Sequence, residues 1–540
     1  MAFSGQFVRR THGIVRAVLL KMVRFNRSML AVLPVLSSLI AGCATEVLEE
    51  TGDELTSVTA RSRDLEFQGQ VFVATTATDD EILRTVRKQT QSAFGALRTA
   101  EIGVSSRELK GVDPSTFKKS PVTVVDVNSP GSVPAKMLRV TYTYKDSAVV
   151  PVSMATQSAF PSAVLNPAYA SQSTRILKEC TSNDEHARDF QSSIWYVFDP
   201  SETNCRPAMA KEAELIAADQ KRVKFGEIAK SEVDRLYIPT TMKLGADRTN
   251  KGNSYPEYDR LFSGGVEKGK LIIGMVSGFI GHDVPLDESD YGYSEWIEQI
   301  TSSMKSLKGW KVVSTEPAGD PLRYSIGGKT VTFSSFEELA PLFSYNAPST
   351  VQGVSVDLLK KEIGKSTIKK WITFETSVNV AVGSQAPKPV AVQIKTYFGV
   401  GSEIAIHKRM IKSSDVYIYN GHSSIGYGPL DPSNFQKGDF PSSYQIMFVD
   451  GCVSYNYYNK DYVPLKEGGT KNLDLITNGL EAPAGNSGIA IGALVSLLLK
   501  GKAPYSELLQ VAHYTDELRV VDGELDNQYS PTKSPLRVTQ

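Results

Sequence analysis

Two short apolar runs in the C-terminal half constrain the fold more than any other feature. Residues 416–419 and 445–449 are uninterrupted by charge, and each ends in a polar loop containing glycine. The first loop reads Asn420-Gly421-His422-Ser423-Ser424 and the second Asp450-Gly451-Cys452-Val453-Ser454. Apolar runs of this length suit strands covered on both faces of a parallel sheet. About 30 residues of chain separate His422 from Cys452, enough for a crossover between parallel neighbours. In open α/β sheets ligands bind beyond the carboxyl ends of the strands, where both of these side chains fall.

The surrounding sequence repeats this grammar from about residue 255. Residues 271–280 read as a strand buried on both faces, and Trp296, Ile297, Ile300, Met304 and Leu307 mark an amphipathic helix that stops at Gly309. Residues 310–313 begin another strand. Residues 371–382 and 390–398 are β-rich runs split by a Gly/Ser/Pro turn, read as an inserted hairpin. A short helix spans 403–412. The run 489–499 is apolar on all sides and reads as a buried helix closed by Gly501, too short for a membrane span. Pro504 opens a last helix to about residue 516.

Residues 66–240 follow different rules and read as an α+β domain. Thr78-Asp79-Asp80-Glu81 has the spacing of a capping box, with Ile82, Val86, Ala93 and Leu97 on one helical face behind it. Leu138, Val140, Tyr142 and Tyr144 alternate with polar residues, as in a half-buried strand. A charged stretch, 211–230, reads as a helix leading into the second domain. No catalytic pattern stands out in this half. His186 sits among polar residues and reads as surface.

Chemistry requires the pairing of the two loops. A free thiol is only a few per cent thiolate at neutral pH, and a nearby imidazole can activate it or protonate a departing amine. Glycines at 421 and 451 let backbone amides come close to a substrate. These residues resemble the caspase-fold cysteine peptidases, gingipains most closely. There one hydrophobic strand ends in Gly-His or His-Gly, and the next ends in a small or acidic residue before Cys. The resemblance covers roughly 260–516. It implies an α/β/α sandwich with a mostly parallel sheet across 255–520, followed by a tail over 521–540. It also implies His422 as acid/base, Cys452 as nucleophile, and the Ser423 and Cys452 amides as oxyanion donors. The substrate would be a protein or peptide. Serine at 423 departs from the glycine usual in the family. Two alternatives stay open: a catalytically inactive relative serving as a binding or assembly module, and an acyl transferase using the same Cys-His machinery. A satisfied core histidine beside an inert buried cysteine is the ordinary alternative for the pair.

The N-terminus carries its own pattern. Arg24 and Arg27 precede an uncharged run over 29–40 that ends in Ala41-Gly42-Cys43. The pattern needs nothing before Met22. The junction Leu39-Ile40-Ala41-Gly42-Cys43 resembles the lipobox of bacterial lipoproteins. This implies a signal peptide over 1–42, a lipid (palmitate among its chains) on Cys43, and a tether over 43–65. Ala44, where an inner-membrane retention signal would place aspartate, implies the outer membrane, facing periplasm or cell surface. The membrane would be met through this lipid alone.

Of 540 residues only four are cysteines. Beyond Cys43, Cys180 and Cys205 lie in one segment and could form a disulfide worth about 3 kcal/mol, or remain two buried thiols. Cys452 is left unpaired. Lysine plus arginine equals aspartate plus glutamate at 59 each, so no charge bias points to nucleic acid. His282 and Asp283 with Asp287, Glu288 and Asp290 could hold calcium, although they lack an EF-hand loop, and helix capping explains the acids equally well. Otherwise no cofactor or metal is expected. His407 and His513 fall on amphipathic helices as surface or core-edge residues. Tyr455, Tyr457, Tyr458 and Tyr462 fit either a cleft or packing. Gly264-Gly265 is a turn.

Overall fold

The computed structural model describes residues 54–540, apart from 130, 183–184, 282–283 and the side chains of 185 and 186. The N-terminal sheet comprises β1 (Ala60–Ala74), β2 (Gly103–Val104), β3 (Lys118–Val125), β4 (Ala135–Pro151), β5 (Ala159–Leu165), β6 (Glu227–Ala229) and β7 (Tyr237–Asp247). Their order is β5-β7-β1-β4-β3-β6, with β2 also against β4. All pairs are antiparallel except β3 with β6. The long β1–β4 pair sets the register: Phe67 lies opposite Tyr144, their rings 5.0 Å apart, on the buried face. Thr78 and Glu81 complete the capping box of the helix Asp79–Gln91, which lays Ile82 and Val86 on that face. The helix Cys205–Gln220 stops short of residue 230, because 221–226 turn back through Gly226 at φ 84° into β6. Cys180 and Cys205 form a disulfide.

The larger sheet contains β8 (Lys270–Gly278) and β9 (Lys311–Glu316). Two small hairpins follow, β10 (Arg323–Ile326) with β11 (Lys329–Thr332), and β12 (Thr350–Val351) with β13 (Val354–Ser355). The sheet resumes with β14 (Trp371–Val382), β15 (Lys388–Gly399), β16 (Val416–Asn420), β17 (Gln445–Asp450), β18 (Leu473–Asn478), β19 (Arg519–Asp522) and β20 (Leu536–Thr539). The order is β19-β18-β17-β16-β8-β15-β14-β20, with β9 also on β14. The run β15-β8-β16-β17-β18 is parallel and its flanks antiparallel. The expected inserted hairpin is corrected here: β14 and β15 do pair, but β15 is also the parallel neighbour of β8 and belongs to the sheet's centre. β20 falls within the expected tail, where it pairs with β14; β1 begins within the expected tether.

Alternation along the strands divides the core. Val416, Ile418, Ile446 and Phe448 point to one face, packed with the helices Tyr291–Met304, Val356–Thr367, Ser487–Leu498 and Tyr505–Ala512. Tyr417, Tyr419, Met447 and Val449 point to the other, against the helices Ile404–Lys412 and Ser454–Tyr462. Phe94, Ile82 and Tyr142 of the N-terminal half share this second core. Both sheets therefore lie in one compact unit spanning 51–540. Each buried Ile, Val or Leu contributes about 1.5–3 kcal/mol, so the shared core couples the stability of the two halves. The architecture is mixed α/β, and no helix among the described residues is long and apolar enough to cross a membrane.

Candidate active site

The connection leaving β8 leads to β9, which lies against β14 on one side, whereas the one leaving β16 leads to β17 on the other. Loops diverge at such a switch point and leave a crevice between them. Asn420 at the end of β16 is level with Ser277 of β8 and Asp450 of β17. His422 and Cys452 each follow two residues later, on neighbouring loops at one edge of the sheet. His422 is exposed and Cys452 half-buried and free.

His422 Nε2 lies 3.0 Å from the Ile280 carbonyl, which follows β8. A carbonyl oxygen only accepts, so in the neutral ring Nε2 carries the hydrogen and Nδ1 is the basic nitrogen. Asp290 holds that carbonyl in place. Its buried carboxylate accepts from the amides of Ile280 (3.2 Å) and Gly281 (2.8 Å), and from Gly292 (2.8 Å) as the cap of the following helix. Tyr419 donates to the His422 carbonyl (2.9 Å) and Tyr458 to that of Ser423 (3.0 Å).

The two loops meet through their backbones. A Cβ on Gly451 would lie 3.0 Å from the Gly421 oxygen and 3.6 Å from the Ser423 nitrogen, a tight approach that glycine accommodates without displacing either loop. Ser423 is buried, and neither its amide nor that of Cys452 donates to a backbone carbonyl among the described residues. Left-handed backbone concentrates here: Ser424 (φ 51°) and Ile425 (φ 53°) beyond the histidine, Val453 (φ 53°) beyond the cysteine. For β-branched Ile425 and Val453 this is strain of order 1–3 kcal/mol, the kind that gathers at functional sites.

The chain matches no family model, no curated protein and no solved structure among those compared.

Cys452 has a different setting from His422. Tyr196, Tyr419, Tyr457 and Tyr458 lie close enough to interact electrostatically with its sulfur. Burial pushes the thiol up to about 11, helped by Glu481 and Asp450 and opposed by the Ala482 amide. It is therefore protonated at neutral pH. Beneath it, Asp450 pairs with Arg519 (2.7 Å) and accepts from Asn478 (2.7 Å); Arg519 also reaches Glu517 (3.3 Å) and lies over Phe448. Burial raises the Asp450 carboxyl despite the arginine.

The N-terminal half reaches both sides of the site through its helices and turns. Arg107 grips Asp431 through two bonds of 3.0 and 3.1 Å, donates to the Gly426 carbonyl (2.5 Å) and lies 4.5 Å over the Tyr427 ring. Arg98 pairs with Glu481 (2.8 Å), to which Tyr196 also donates (3.3 Å). Asn456 donates to the carbonyls of Val104 (2.9 Å) and Ser106 (2.7 Å). The sequence offered no sign of Arg98, Arg107 or Tyr196, since their partners lie hundreds of residues away. Asp290 was visible as a helix-capping acid or a calcium ligand, without its hold on the Ile280 and Gly281 amides.

Other candidates resolve as structure. Tyr455, Tyr457, Tyr458 and Tyr462 are buried packing residues. His407 is buried, bonded to Tyr417 (2.7 Å) and the Gly401 carbonyl (2.9 Å), and desolvation lowers it to about 4. His513 lies 3.4 Å from Glu517. Gly264 closes its turn at φ 82°. Asp287 accepts from Ser289 and Asp290 caps its helix, so both acids have roles within the protein. No group of His, Cys, Asp and Glu among the described residues could hold a metal ion. His282, Asp283 and Cys43 lie outside the described residues, as does the His186 side chain.

Proposed function

We propose that this chain is a membrane-anchored cysteine peptidase of the caspase/gingipain fold, hydrolysing peptide bonds through His422 and Cys452. The observation that carries this reading is the junction of the two loops at the switch point. There an exposed imidazole has its tautomer set by the Ile280 carbonyl, and the loop bearing the free thiol is in backbone contact beside it. The parallel order β15-β8-β16-β17 supports it, because it puts both residues after adjacent strands.

In this mechanism the thiol proton passes to Nδ1 of His422 as sulfur bonds to the scissile carbonyl carbon. The Ser423 and Cys452 amides are the oxyanion donors of this mechanism. The C–N bond then breaks, the imidazolium returns its proton to the departing amine, and a thioester remains. Water attacks it, His422 again taking the proton, and the acid leaves as the thiol is restored. Because the resting thiol is neutral, proton transfer lies on the reaction path.

The same raised thiol and the serine at 423 favour a second reading, an inactive relative acting as a binding module. The lipid on Cys43 and the outer-membrane location rest on the sequence pattern. Incubating the lipid-free chain from Ala44 with a diverse peptide pool, beside Cys452→Ala, separates the readings. Cleavage by the first protein alone, read by mass spectrometry, is the expected result; identical pools select the binding module. Loss of labelling by a palmitate analogue in Cys43→Ala tests the anchor.

A further inference from the structure

Loops following β8, β15 and β16 enclose a cleft of 470 Å³ into which His422 faces. Phe279 and Val400 form walls and Tyr419 part of the floor. Leu286, Ile404 and Tyr427 stand at its rim, exposed by 51%, 36% and 60%, an unusual concentration of open apolar surface. None of the described residues lining it carries a formal charge. Two cations meet the rim at Tyr427, Arg107 over its ring and Lys110 on its hydroxyl, and each is also paired with an acid, Arg107 with Asp431 and Lys110 with Glu108. The floor is kept open by Gly401, where a Cβ would lie 3.1 Å from the Tyr419 hydroxyl, and buried His407 fixes that glycine's carbonyl.

The position of this cleft gives it a direction. It lies on the β15 side of His422, whereas Cys452 follows β17 on the opposite side and is not among the cleft residues. In a Cys-His peptidase, sulfur attacks the acyl carbon and the imidazole protonates the departing amine. The residue that supplies that amine therefore lies on the histidine side.

We infer that this cleft is the specificity subsite for the residue on the amine side of the scissile bond, and that it selects a large apolar side chain. The inference rests on the peptidase reading. An apolar pocket gains about 10- to 200-fold in kcat/KM per methylene it accommodates, so leucine or phenylalanine is expected to exceed glycine by at least about 100-fold. A lysine, arginine or aspartate would lose its hydration without gaining an oppositely charged partner among the described lining residues.

The test is the full chain, with Cys452→Ala, Ile404→Glu and Leu286→Glu, incubated with peptides varied at one position among Leu, Phe, Met, Gly, Asp, Lys and Arg. The new amino-terminal residue of each product is read by mass spectrometry. The expected result is products beginning with Leu, Phe or Met, absent with Cys452→Ala. Each rim variant should reduce these at least about 10-fold and raise the relative share beginning with Lys or Arg. Two rim variants on separate loops guard against a local folding defect in either. Cys452-dependent cleavage indifferent to this residue, or before charged residues, overturns the subsite and leaves the peptidase standing. No Cys452-dependent cleavage overturns both.

Discussion

His422 and Cys452 leave neighbouring parallel strands at the same level, yet the protein treats them differently. The imidazole side is open: an exposed ring, a carbonyl that sets its tautomer, and a cleft beyond it whose described lining carries no formal charge. The thiol side is half-buried among tyrosines and Glu481, beside a buried ion pair. The N-terminal half braces both sides, through Arg107 paired with Asp431 beyond the histidine and Arg98 paired with Glu481. A thiol held neutral by burial depends on its surroundings to lose its proton, so what covers it governs its reactivity.

The comparison breaks first at the ion pair. Arg519→Met is expected to cost about 3–5 kcal/mol, because it strands Asp450 without a cation in a buried site. Urea unfolding would measure it; a loss below about 1 kcal/mol would mean that water reaches the pair. The next effect is on reactivity. With the thiol at about 11, alkylation of native Cys452 at pH 7.5 should run roughly 100-fold slower than for an unperturbed thiol, then climb as pH approaches 11. A plateau near pH 8.5 would show that burial does not control it.

His407 sharpens the comparison from the histidine side. Its folded value, about 4, lies below the ordinary 6.5, so the unfolded chain binds more protons between those values. The resulting stability, about 3 kcal/mol, is fully present above pH 6.5 and lost as pH falls toward 4. His407→Gln should flatten that part of the stability–pH curve. The smallest effect concerns Asp290. Asp290→Ala removes a helix cap, expected to cost about 1–2 kcal/mol. It also frees the Ile280 amide, so the thermal shift should be modest while any turnover falls more than stability alone accounts for.

Both strand ends were legible because apolar runs closed by glycine have few other uses in a fold. Gly421 and Gly451 could be read as points of close backbone approach, and the structure gives the reason at 451. The partner of His422 was illegible, since a backbone carbonyl leaves no mark in sequence. Asp290 showed its capping role and hid its hold on Ile280. The hairpin of β14 and β15 was legible from two β-rich runs split by a turn, but its parallel neighbour β8 was not, because that pairing spans more than a hundred residues. For the same reason the contacts of Arg98, Arg107 and Tyr196 lay beyond local pattern. His407 showed a helical position without showing that it faces inward onto Tyr417.

The central claim is that His422 serves Cys452, and covalent labelling tests it most directly. The full chain and His422→Ala would be treated with a peptidyl acyloxymethyl ketone bearing an apolar residue, and the mass of the adduct on Cys452 followed with time at pH 7.5 and pH 10. The account predicts labelling of the native chain at pH 7.5, at least about 10-fold slower in His422→Ala, with the gap narrowing at pH 10 as hydroxide takes over removal of the proton. Equal rates in the two proteins at pH 7.5 would contradict it.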